Sequence, residues 1–321
     1  MDAAFVTGGS GFIGGKLIRA LVANGVMVRA LGRSGKALQK VGDLGATAIE
    51  GDLDDRDALR TGMANCDVVF HCASYLNDWD REAARRVNIV GTQNVLEAAR
   101  AAGVKRIVYA SGIGVIVGDG PAINVDETRP RGRPVGVLCA TRVQSEAIVE
   151  AASSASLETV ITRFPYVWGQ GDTLRPILLR LIRSRRFRWV GGGHHLISIC
   201  HVDDAVRGMI LAASRGRPGA IYWIADDVRI ELRAFVQAQL AVDGLSAPDR
   251  SVPPWLARLL ADTMSFTLEL VGSKRPSPLT PTSVRFLGQQ TTVDTTRART
   301  ELGFRPASRW PDALFTLRPL D

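Results

Sequence analysis

Three glycines near the start of the chain have the spacing of a phosphate-binding turn. Gly8, Gly11 and Gly14 lie between a short apolar run, 3–7, and a helical pattern over 11–24. The first glycine permits a tight turn, the second lets the backbone approach a pyrophosphate, and the third lets the helix pack closely on the strand. Since the helix also presents unpaired N–H groups and the positive end of its dipole, the sequence predicts a dinucleotide here. The predicted contacts come from Gly8, Ser10, Gly11, Phe12, Ile13 and Gly14.

The end of the second apolar run indicates which dinucleotide is bound. An acidic side chain at this point would bind the adenosine ribose hydroxyls and repel a 2′-phosphate. Residues 29–34 contain no carboxylate, and Arg33 and Ser34 stand where it would be. Both can hold a 2′-phosphate through charge-assisted bonds, so we expect NADP(H) to be preferred over NAD(H). The alternative is that Arg33 is a solvated loop residue.

Motifs farther along resemble those of the extended short-chain dehydrogenase/reductase family, most closely its branch of NAD-dependent epimerase/dehydratases and 3β-hydroxysteroid dehydrogenase/isomerases. The matching segments extend over nearly the whole chain: TGGSGFIG at 7–14, GDL at 51–53, VFHCAS at 69–74, VNIVGTQN at 87–94, DETRP at 126–130, RFPYVWG at 163–169, HVDD at 201–204 and ELGFRP at 301–306.

The resemblance extends the predicted cofactor site beyond the glycine turn. It implies that Asp52 and Leu53 hold the adenine, and that the strand end Cys72-Ala73-Ser74 lies beside the nicotinamide ribose. It adds three more residues to the cofactor set: Asn88, Arg142 and Pro165. Two of these assignments have structural alternatives, because Asp52 could cap a helix and Asn88 could serve only as a hydrogen-bonding residue within the fold.

The residues that carry the family's chemistry are replaced in this chain. The resemblance implies a Ser or Thr hydroxyl and a Tyr-x-x-x-Lys pair followed by Glu, in which Tyr moves the substrate proton and Lys lowers the Tyr pKa. Glu146 matches the last position, which puts Leu138 at the Tyr position and Arg142 at the Lys position. Gly112 stands at the hydroxyl position, with Ser111 beside it. Since residues 110–165 contain no Tyr, shifting the alignment does not restore the pair.

Other side chains in the segments near the substrate could take over the proton transfer. The candidate catalytic residues are Ser111, Arg142, Cys139, Thr141 and Tyr166. Arg142 can bind ribose hydroxyls, but it cannot act as a base. Tyr75 and the pair His194-His195 also lie in such segments, although two histidines in a loop usually face solvent. Each of these side chains has a structural alternative.

Three functions are compatible with an intact cofactor turn and a missing proton donor. The first is an NADP(H)-dependent oxidoreductase with a displaced or solvent proton donor. The second is a redox-neutral isomerase, cyclase or dehydratase on the same fold, and the third is a non-catalytic nucleotide-sensing or partner-binding protein. The intact turn favours the first. We expect a mainly apolar small substrate, because the segments that the family places beside it hold Val137, Leu138, Trp168 and the stretch 252–271.

Alternating apolar runs and helical patterns predict an α/β fold, a Rossmann-type doubly wound parallel sheet with helices on both faces. The expected strands are 3–7, 26–31, 46–50, 67–71, 105–111 and 159–164, and the expected helices are 11–24, 55–62, 81–102 and 137–152. The glycine- and proline-rich stretch 112–136 is predicted to be a loop. We expect a dinucleotide-binding domain at 1–165, to which some later segments return, and a smaller substrate-binding lobe at 166–321.

Composition narrows the partners and the compartment. The chain has 321 residues, 46% of them hydrophobic, and 40 Lys and Arg against 32 Asp and Glu, a net charge of +8. This moderate excess does not indicate nucleic-acid binding. The four Cys have no C-x-x-C spacing, so we expect reduced thiols, a cytoplasmic protein and no metal site. Without a run of ~20 apolar residues we expect no transmembrane segment. The sequence is compatible with a homodimer and leaves the oligomeric state open.

Two segments of the second half have an unusual composition. Residues 163–188 contain seven Arg and one acidic residue, Asp172. We interpret this stretch as a solvated helix face, with a site for an anionic substrate, a carrier-protein group or a partner as the alternative. Residues 252–271 are rich in large apolar side chains but are interrupted by Arg258, Asp262 and Glu269, which favours a lid or a packed helix over insertion into a membrane.

Overall fold

Fourteen strands are present in the part of the chain that the computed structural model describes, residues 1–271, 279–308 and 310–320. In chain order they are β1 (Ala3–Thr7), β2 (Met27–Gly32), β3 (Thr47–Glu50), β4 (Val68–His71), β5 (Arg106–Gly112), β6 (Ala122–Val125), β7 (Glu158–Phe164), β8 (Tyr166–Trp168), β9 (Trp189–Val190), β10 (Leu196–His201), β11 (Ile221–Trp223), β12 (Arg229–Glu231), β13 (Ser251–Val252) and β14 (Thr291–Val293).

The large sheet has seven strands in the order β11-β7-β5-β4-β1-β2-β3, and every neighbouring pair is parallel. The chain therefore begins at the centre of the sheet and winds outward in both directions, which confirms the predicted Rossmann-type architecture. All six strands expected from the sequence are present, with ends that differ from the expected ones by at most about one residue. The edge strand β11 comes from the second half of the chain and pairs with β7.

Twelve α-helices are present in the same described residues. They are α1 (Phe12–Ala23), α2 (Gly35–Asp43), α3 (Arg56–Met63), α4 (Arg81–Ala84), α5 (Gly91–Ala101), α6 (Gly136–Ala151), α7 (Arg175–Arg183), α8 (Val202–Arg215), α9 (Leu232–Ala241), α10 (Pro254–Leu270), α11 (Pro281–Gly288) and α12 (Thr296–Glu301). Helix α2 was not anticipated from the sequence.

The helices cover the large sheet on both faces. On one face, α1 and α8 bury Leu17, Leu21 and Met209 against the strands. On the other face, α3, α5 and α6 form a second apolar layer that includes Leu59 and Val95. Since both faces of every central strand are covered, the strands are almost entirely apolar, as expected for a buried parallel sheet.

The helix predicted over 81–102 is interrupted by one π-helical segment. Residues Arg85–Val90 form this segment between α4 and α5. A π turn is the usual place where a helix adjusts the direction of a side chain near a functional site. Here it buries Asn88, whose side chain then meets the loop that follows β4.

The prediction of a loop over 112–136 is wrong in part. Strand β6 lies inside this stretch and pairs in parallel with β14. It belongs to a smaller sheet with the order β12-β10-β14-β6, in which β8 also pairs with β10. The smaller lobe thus takes one strand from the middle of the chain. Its principal core is a cluster that includes Trp168, Phe187, Trp189 and Phe235.

The arginine-rich stretch 163–188 includes the end of β7, β8, α7 and the turn after α7, and its first arginine, Arg163, is buried. Most of its arginines are exposed, as expected for a solvated face. Arg175 differs, since it is buried and forms an ion pair with the buried Asp243 at 2.5 Å. Its second contact, a hydrogen bond from Nη1 to the Arg318 carbonyl oxygen at 2.8 Å, ties the C-terminal segment to α7.

The apolar stretch 252–271 is largely α10, which packs on α11. Ala257 and Ala261 are buried in that contact, while Trp255 and Phe266 are each 66% exposed. The structure agrees with the expectation of a packed helix. Among the residues that the structure describes, no helix combines the length and the apolar character needed to cross a bilayer.

Candidate active site

The turn between β1 and α1 contains glycines at two positions where a side chain does not fit. Gly8 has a φ of 71°, and a Cβ there would lie 2.6 Å from the amide nitrogen of Ala73. A Cβ at Gly14 would collide with the carbonyl oxygen of Gly8. Helix α1 begins without a side-chain cap, so its first N–H groups can meet phosphate oxygens. This cradle fits the pyrophosphate of a dinucleotide.

A cavity of about 890 Å³ extends from this turn to the helices of the smaller lobe. Its first end is formed by the carboxyl ends of β1, β2, β4 and β5, the edge at which open parallel sheets bind ligands. Its second end is formed by side chains from α7, α9 and α11.

The first end contains nearly all the residues predicted to bind the cofactor. All of them except Asn88 line the cavity: Gly8, Ser10, Gly11, Phe12, Ile13, Gly14, Arg33, Ser34, Asp52, Leu53, Cys72, Ala73, Ser74, Arg142 and Pro165. Asp52 accepts a hydrogen bond from the Leu53 amide at 2.7 Å, whereas the cap of α3 is Asp55. Asp52 therefore does not cap α3, which was the structural alternative for this residue.

Two lysines that the sequence analysis missed lie beside Arg33. Lys36 and Lys40 line the same end of the cavity, one turn apart on α2. The Lys40 ammonium donates to the Ser10 carbonyl oxygen at 2.7 Å, and the Ser34 hydroxyl caps α2 by accepting from the Ala37 amide at 3.3 Å. We call Arg33, Lys36 and Lys40 the basic group. The signal for it was the spacing of 36 and 40, which places both on one helix face.

Asn88 does not line the cavity, but it fixes a loop that does. Its side-chain oxygen accepts from the Tyr75 amide at 2.7 Å and from the Ser74 hydroxyl at 3.1 Å. Its amide group donates to the Tyr75 carbonyl oxygen at 3.0 Å and to the Thr141 hydroxyl at 2.9 Å. Asn88 therefore has the structural hydrogen-bonding role that was the alternative to direct contact with the cofactor.

Arg142 joins β5 to the loop after β4. Its Nη1 donates to the Ala110 carbonyl oxygen at 3.1 Å, and its Nη2 donates to the Ser74 hydroxyl at 2.9 Å. The guanidinium therefore lies on the cavity wall between two elements of the nucleotide-binding half. Since a guanidinium carries five N–H donors, it retains donors for the hydroxyls of a ribose.

Ser111 lies on the cavity wall but directs its proton away from it. The hydroxyl donates to the carboxylate of the fully buried Glu146 at 2.5 Å. Glu146 also forms ion pairs with Arg163, which is 2% exposed, and with Arg131. Burial alone would raise the pKa of Glu146, but the bonds from Arg163 and Ser111 and the charge of Arg131 lower it below its ordinary value. A firmly ionised Glu146 keeps Ser111 as a hydrogen-bond acceptor toward the cavity.

Cys139 and Thr141 are not brought to the cavity wall, so neither candidate is placed to exchange a proton with a substrate there. Both side chains are buried within the packing of α6. The Cys139 thiol lies 3.9 Å from the Thr282 hydroxyl, and burial raises the pKa of the thiol to about 11. The Thr141 hydroxyl donates to the Val137 carbonyl oxygen at 2.9 Å and receives the bond from Asn88.

Tyr166 reaches the cavity wall with its proton already engaged. The phenol donates to the carboxylate of Asp172 at 2.6 Å. Burial and the charge of Asp172 raise the pKa of Tyr166 well above its ordinary value. The structure therefore holds the tyrosine neutral, with its hydroxyl hydrogen directed at Asp172.

The second end of the cavity has an apolar wall. Its apolar side chains come chiefly from the smaller lobe and from the start of α6: Leu138, Leu174, Leu178, Ile197, Leu232, Phe235, Val236, Phe286 and Leu287. Of the described side chains that were expected there, only Leu138 is present. Trp168 is fully buried behind this wall, where its indole N–H donates to Asp226 at 3.2 Å. Neither Val137 nor any side chain of α10 that the structure describes lines the cavity.

The histidines lie elsewhere. His194 is exposed and bonds to Glu231 at 2.9 Å, and neither it nor His195 lines the cavity. His71 is buried between the hydroxyls of Thr7, at 2.7 Å, and Thr92, at 3.0 Å. Burial, with the charge of Arg142, lowers the pKa of His71 to about 4, which makes it a neutral residue of the sheet.

Comparison with known families decides the classification. The sequence model of the NAD dependent epimerase/dehydratase family matches residues 4–225 of the chain. The chain belongs to this family. That stretch contains the glycine cradle, the basic group and the loop after β4, and the match confirms the resemblance noted in the motifs.

Relatives within the family are reductases and dehydrogenases. The chain is 41% identical, over 94% of its length and 91% of the relative's, to the 4-hydroxy-2-methyl-3-oxo-4-farnesyl-3,4-dihydroquinoline-1-oxide ketoreductase of Stigmatella aurantiaca. It is 33% identical, over 89% and 88%, to the 2-alkyl-3-oxoalkanoate reductase of Stenotrophomonas maltophilia. It is 29% identical, over 95% and 96%, to the decarboxylating sterol-4-alpha-carboxylate 3-dehydrogenase of Dictyostelium discoideum. This protein is accordingly an oxidoreductase.

Two solved structures share the fold over nearly the whole chain. The crystal structure described as gox2253 has a TM-score of 0.78 and 25% identity, and covers 98% of this chain and 96% of its own. MoeE5 in complex with UDP-glucuronic acid and NAD has a TM-score of 0.74 and 27% identity, and covers 98% and 97%.

Proposed function

We propose that this protein uses NADPH to reduce a ketone that adjoins an alkyl-substituted carbon in a mainly apolar small molecule. The observation that carries the proposal is the cavity itself. One end has a glycine cradle and the basic group, and the other end has an apolar wall, so that a dinucleotide and an apolar substrate would meet between them beside Arg142.

The preference for NADPH is supported by the basic group. Arg33, Lys36 and Lys40 surround the end of β2, where the adenosine ribose of a dinucleotide would lie. A 2′-phosphate would gain charge-assisted bonds from these side chains and from the Ser34 hydroxyl. NADH offers no phosphate to them, so the basic group would remain solvated when NADH binds.

The substrate class is supported by the apolar wall and by the relatives' names. Two relatives are named for ketones that carry an alkyl or farnesyl chain on the carbon next to the carbonyl. A wall built from leucine, isoleucine and phenylalanine side chains can bury such a chain at about 25 cal/mol per Å² of apolar surface. Polar sugar nucleotides, which bind to MoeE5, would leave their hydroxyls unpaired against this wall.

The chain's own residues account for binding and orientation. The glycine cradle and the start of α1 would hold the pyrophosphate of a bound dinucleotide, and Arg142 would donate to its nicotinamide ribose. A bound reduced nicotinamide would supply hydride to the carbonyl carbon. Leu138 shapes the wall beside the reacting carbonyl and cannot donate a proton, so the developing alkoxide must be protonated by a displaced donor or by solvent.

Transfer of isotope from the cofactor tests this proposal. Wild-type protein is incubated with ethyl 2-octylacetoacetate, a stable ketone with a long alkyl chain on the neighbouring carbon, and with NADPH that carries deuterium at both C4 positions. We expect alcohol that carries one deuterium. Acetone, which has no group to contact the apolar wall, is expected to be reduced at least about 100-fold less efficiently.

Two outcomes would contradict the proposal. Turnover of the keto ester without deuterium in the product would indicate redox-neutral chemistry, and equal efficiency with acetone would show that the apolar wall does not select the substrate. A circular dichroism spectrum serves as the control for folding, because misfolded protein would be inactive for a reason unrelated to the proposal.

A further inference from the structure

The loop after β4 connects the cofactor turn to the position of the missing proton donor. Ala73 packs against Gly8 at the glycine turn. Ser74 is bound by Arg142, and Asp78 accepts from the backbone amide of Leu138 at 2.9 Å. Within only a few residues the loop therefore passes from the pyrophosphate cradle to the start of α6. Tyr75 lies on this path, is half-buried, and lines the cavity.

The backbone of Tyr75 is held on both sides. Asn88 accepts from its amide and donates to its carbonyl oxygen, at 2.7 and 3.0 Å. The preceding Ser74 is bound by both Asn88 and Arg142. A residue with both backbone polar groups paired to one buried side chain cannot move far, so the direction in which the Tyr75 side chain leaves the loop is fixed.

Most other hydroxyls near the boundary of the two ends have their protons engaged. Ser74 donates to Asn88, Ser111 donates to Glu146, and Tyr166 donates to Asp172. The Tyr75 hydroxyl makes no hydrogen bond to any residue that the structure describes. The remaining hydroxyls of the second end, on Thr173, Ser198 and Thr291, are aliphatic alcohols, which are weaker acids than a phenol.

We propose that Tyr75 is the proton donor to the substrate's carbonyl oxygen, in place of the tyrosine that residue 138 does not supply. This inference rests on the proposed ketone reduction. Tyr75, in the loop after β4, would then act as the proton donor, the role that the family resemblance gives to a tyrosine at position 138 on α6.

The proton transfer balances with the reduction. The O–H bond of Tyr75 breaks while an O–H bond forms on the substrate oxygen, and the carbonyl carbon accepts hydride from the reduced nicotinamide dinucleotide, which is thereby oxidised by two electrons. The phenolate of Tyr75 takes a proton from water before the next turnover.

The test compares two variants that each remove one phenol hydroxyl. Tyr75→Phe is expected to lower kcat for ethyl 2-octylacetoacetate with NADPH by at least about 100-fold, as for loss of a positioned acid. Its affinity for NADPH, followed by nucleotide fluorescence, should stay within about twofold. Tyr222→Phe is the matched control, because its hydroxyl bonds Glu301 outside the cavity, and its kcat should stay within about twofold.

A second measurement needs neither cofactor nor turnover. The chain has four tyrosines, so protein labelled with ¹³C at the tyrosine ring carbon that bears the oxygen gives four resonances, and Tyr75→Phe identifies the one from Tyr75. Ethyl 2-octylacetoacetate, added alone, should shift the Tyr75 resonance and leave the Tyr222 resonance in place.

Each outcome decides between the two proposals. Unchanged kcat in Tyr75→Phe, or a Tyr75 resonance that does not respond to bound keto ester, overturns the assignment of Tyr75 and leaves the ketone reduction standing. Absence of reduction by the wild type overturns the proposed function itself. A 100-fold loss in Tyr75→Phe together with an unchanged Tyr222→Phe supports both.

Discussion

At the scale of single residues, the cavity wall differs from the pattern of the family's motifs at Gly112, Leu138 and Arg142. Leu138 provides apolar surface where the resemblance implies a phenol, and Arg142 provides a fork of donors where it implies an ammonium. The fork contacts both the Ala110 carbonyl oxygen and the Ser74 hydroxyl. A lysine, with one nitrogen, could not hold both groups in this planar arrangement. Position 142 therefore stabilises the loop that carries Tyr75.

Arg33 offers a direct test of the proposed preference for NADPH. Arg33→Glu would replace an attractive charge with a repulsive one beside the 2′-phosphate. We expect the dissociation constant for NADPH to rise about 10- to 100-fold, equivalent to ~1.4–3 kcal/mol for a charge-assisted contact, and that for NADH to change less than about threefold. Titration calorimetry with both cofactors measures this.

The control for Arg33 is an arginine of the same exposure outside the cavity. Arg180→Glu on α7 makes the same change in net charge, and should leave both dissociation constants nearly unchanged. Equal wild-type affinity for NADPH and NADH would contradict the role assigned to the basic group.

At the scale of elements, short strands and loops determine where the site residues lie. The spacing of Gly8, Gly11 and Gly14 was enough to predict a tight turn between β1 and α1, because that turn depends on residues next to one another in the chain. The position of Ser111 could not be predicted in the same way. Its hydroxyl is directed by Glu146, which is 35 residues away in the chain and is itself held by Arg163. Local patterns contain no information about such a partner.

Strand β6 was missed for the same physical reason. Its four residues lie among glycines and prolines, and a strand this short is stabilised only by its partner. That partner is β14, which lies more than 160 residues later in the chain. The apolar wall could not be predicted either. Leu138, Phe235 and Phe286 line one cavity only because α6, α9 and α11 pack around it.

His71, the last residue of β4, should make the free energy of unfolding depend on pH. Burial lowers the pKa of His71 to about 4, whereas in the unfolded chain it is about 6.5. The unfolded state therefore binds the proton first as the pH falls. The contribution of neutral His71 is fully present above about pH 6.5 and is lost between about pH 6.5 and 4, and amounts to at most about 3 kcal/mol.

Urea unfolding of His71→Gln, followed by circular dichroism from pH 7.5 to 4.5, measures this contribution. The variant should lose less free energy of unfolding than the wild type over that range, although it is less stable at pH 7.5. His194→Gln is the control, because His194 is exposed, and its pH slope should equal that of the wild type. Parallel curves for all three proteins would be inconsistent with a buried neutral His71.

At the scale of the whole molecule, the cavity lies between two sheets whose strands alternate along the chain, since β6 belongs to the smaller sheet and β11 to the large one. The nucleotide end belongs to the large sheet and the apolar end to the smaller lobe. The Phe286 ring, on α11, lies where the two ends of the cavity meet. It lines the cavity, and a Cβ at Gly114, just after β5, would lie 3.7 Å from its ring.

Phe286→Ala tests the apolar end without altering the nucleotide end. We expect KM for ethyl 2-octylacetoacetate to rise about 5- to 20-fold, as for loss of ~1–2 kcal/mol of apolar contact, and KM for ethyl acetoacetate to change less than twofold. Phe315→Ala, which removes an 85% exposed ring, should leave both values unchanged. An equal rise for the two esters would mean that the ring does not contact the alkyl chain.

The edge strand β11 has a consequence for how the protein is synthesised. During translation β7 emerges from the ribosome more than fifty residues before β11, its neighbour at the edge of the large sheet. An open β7 edge can pair with other chains until it is covered. We expect nascent chains halted between residues 165 and 220 to bind chaperones or aggregate, and release from them to follow once residues 221–223 have emerged.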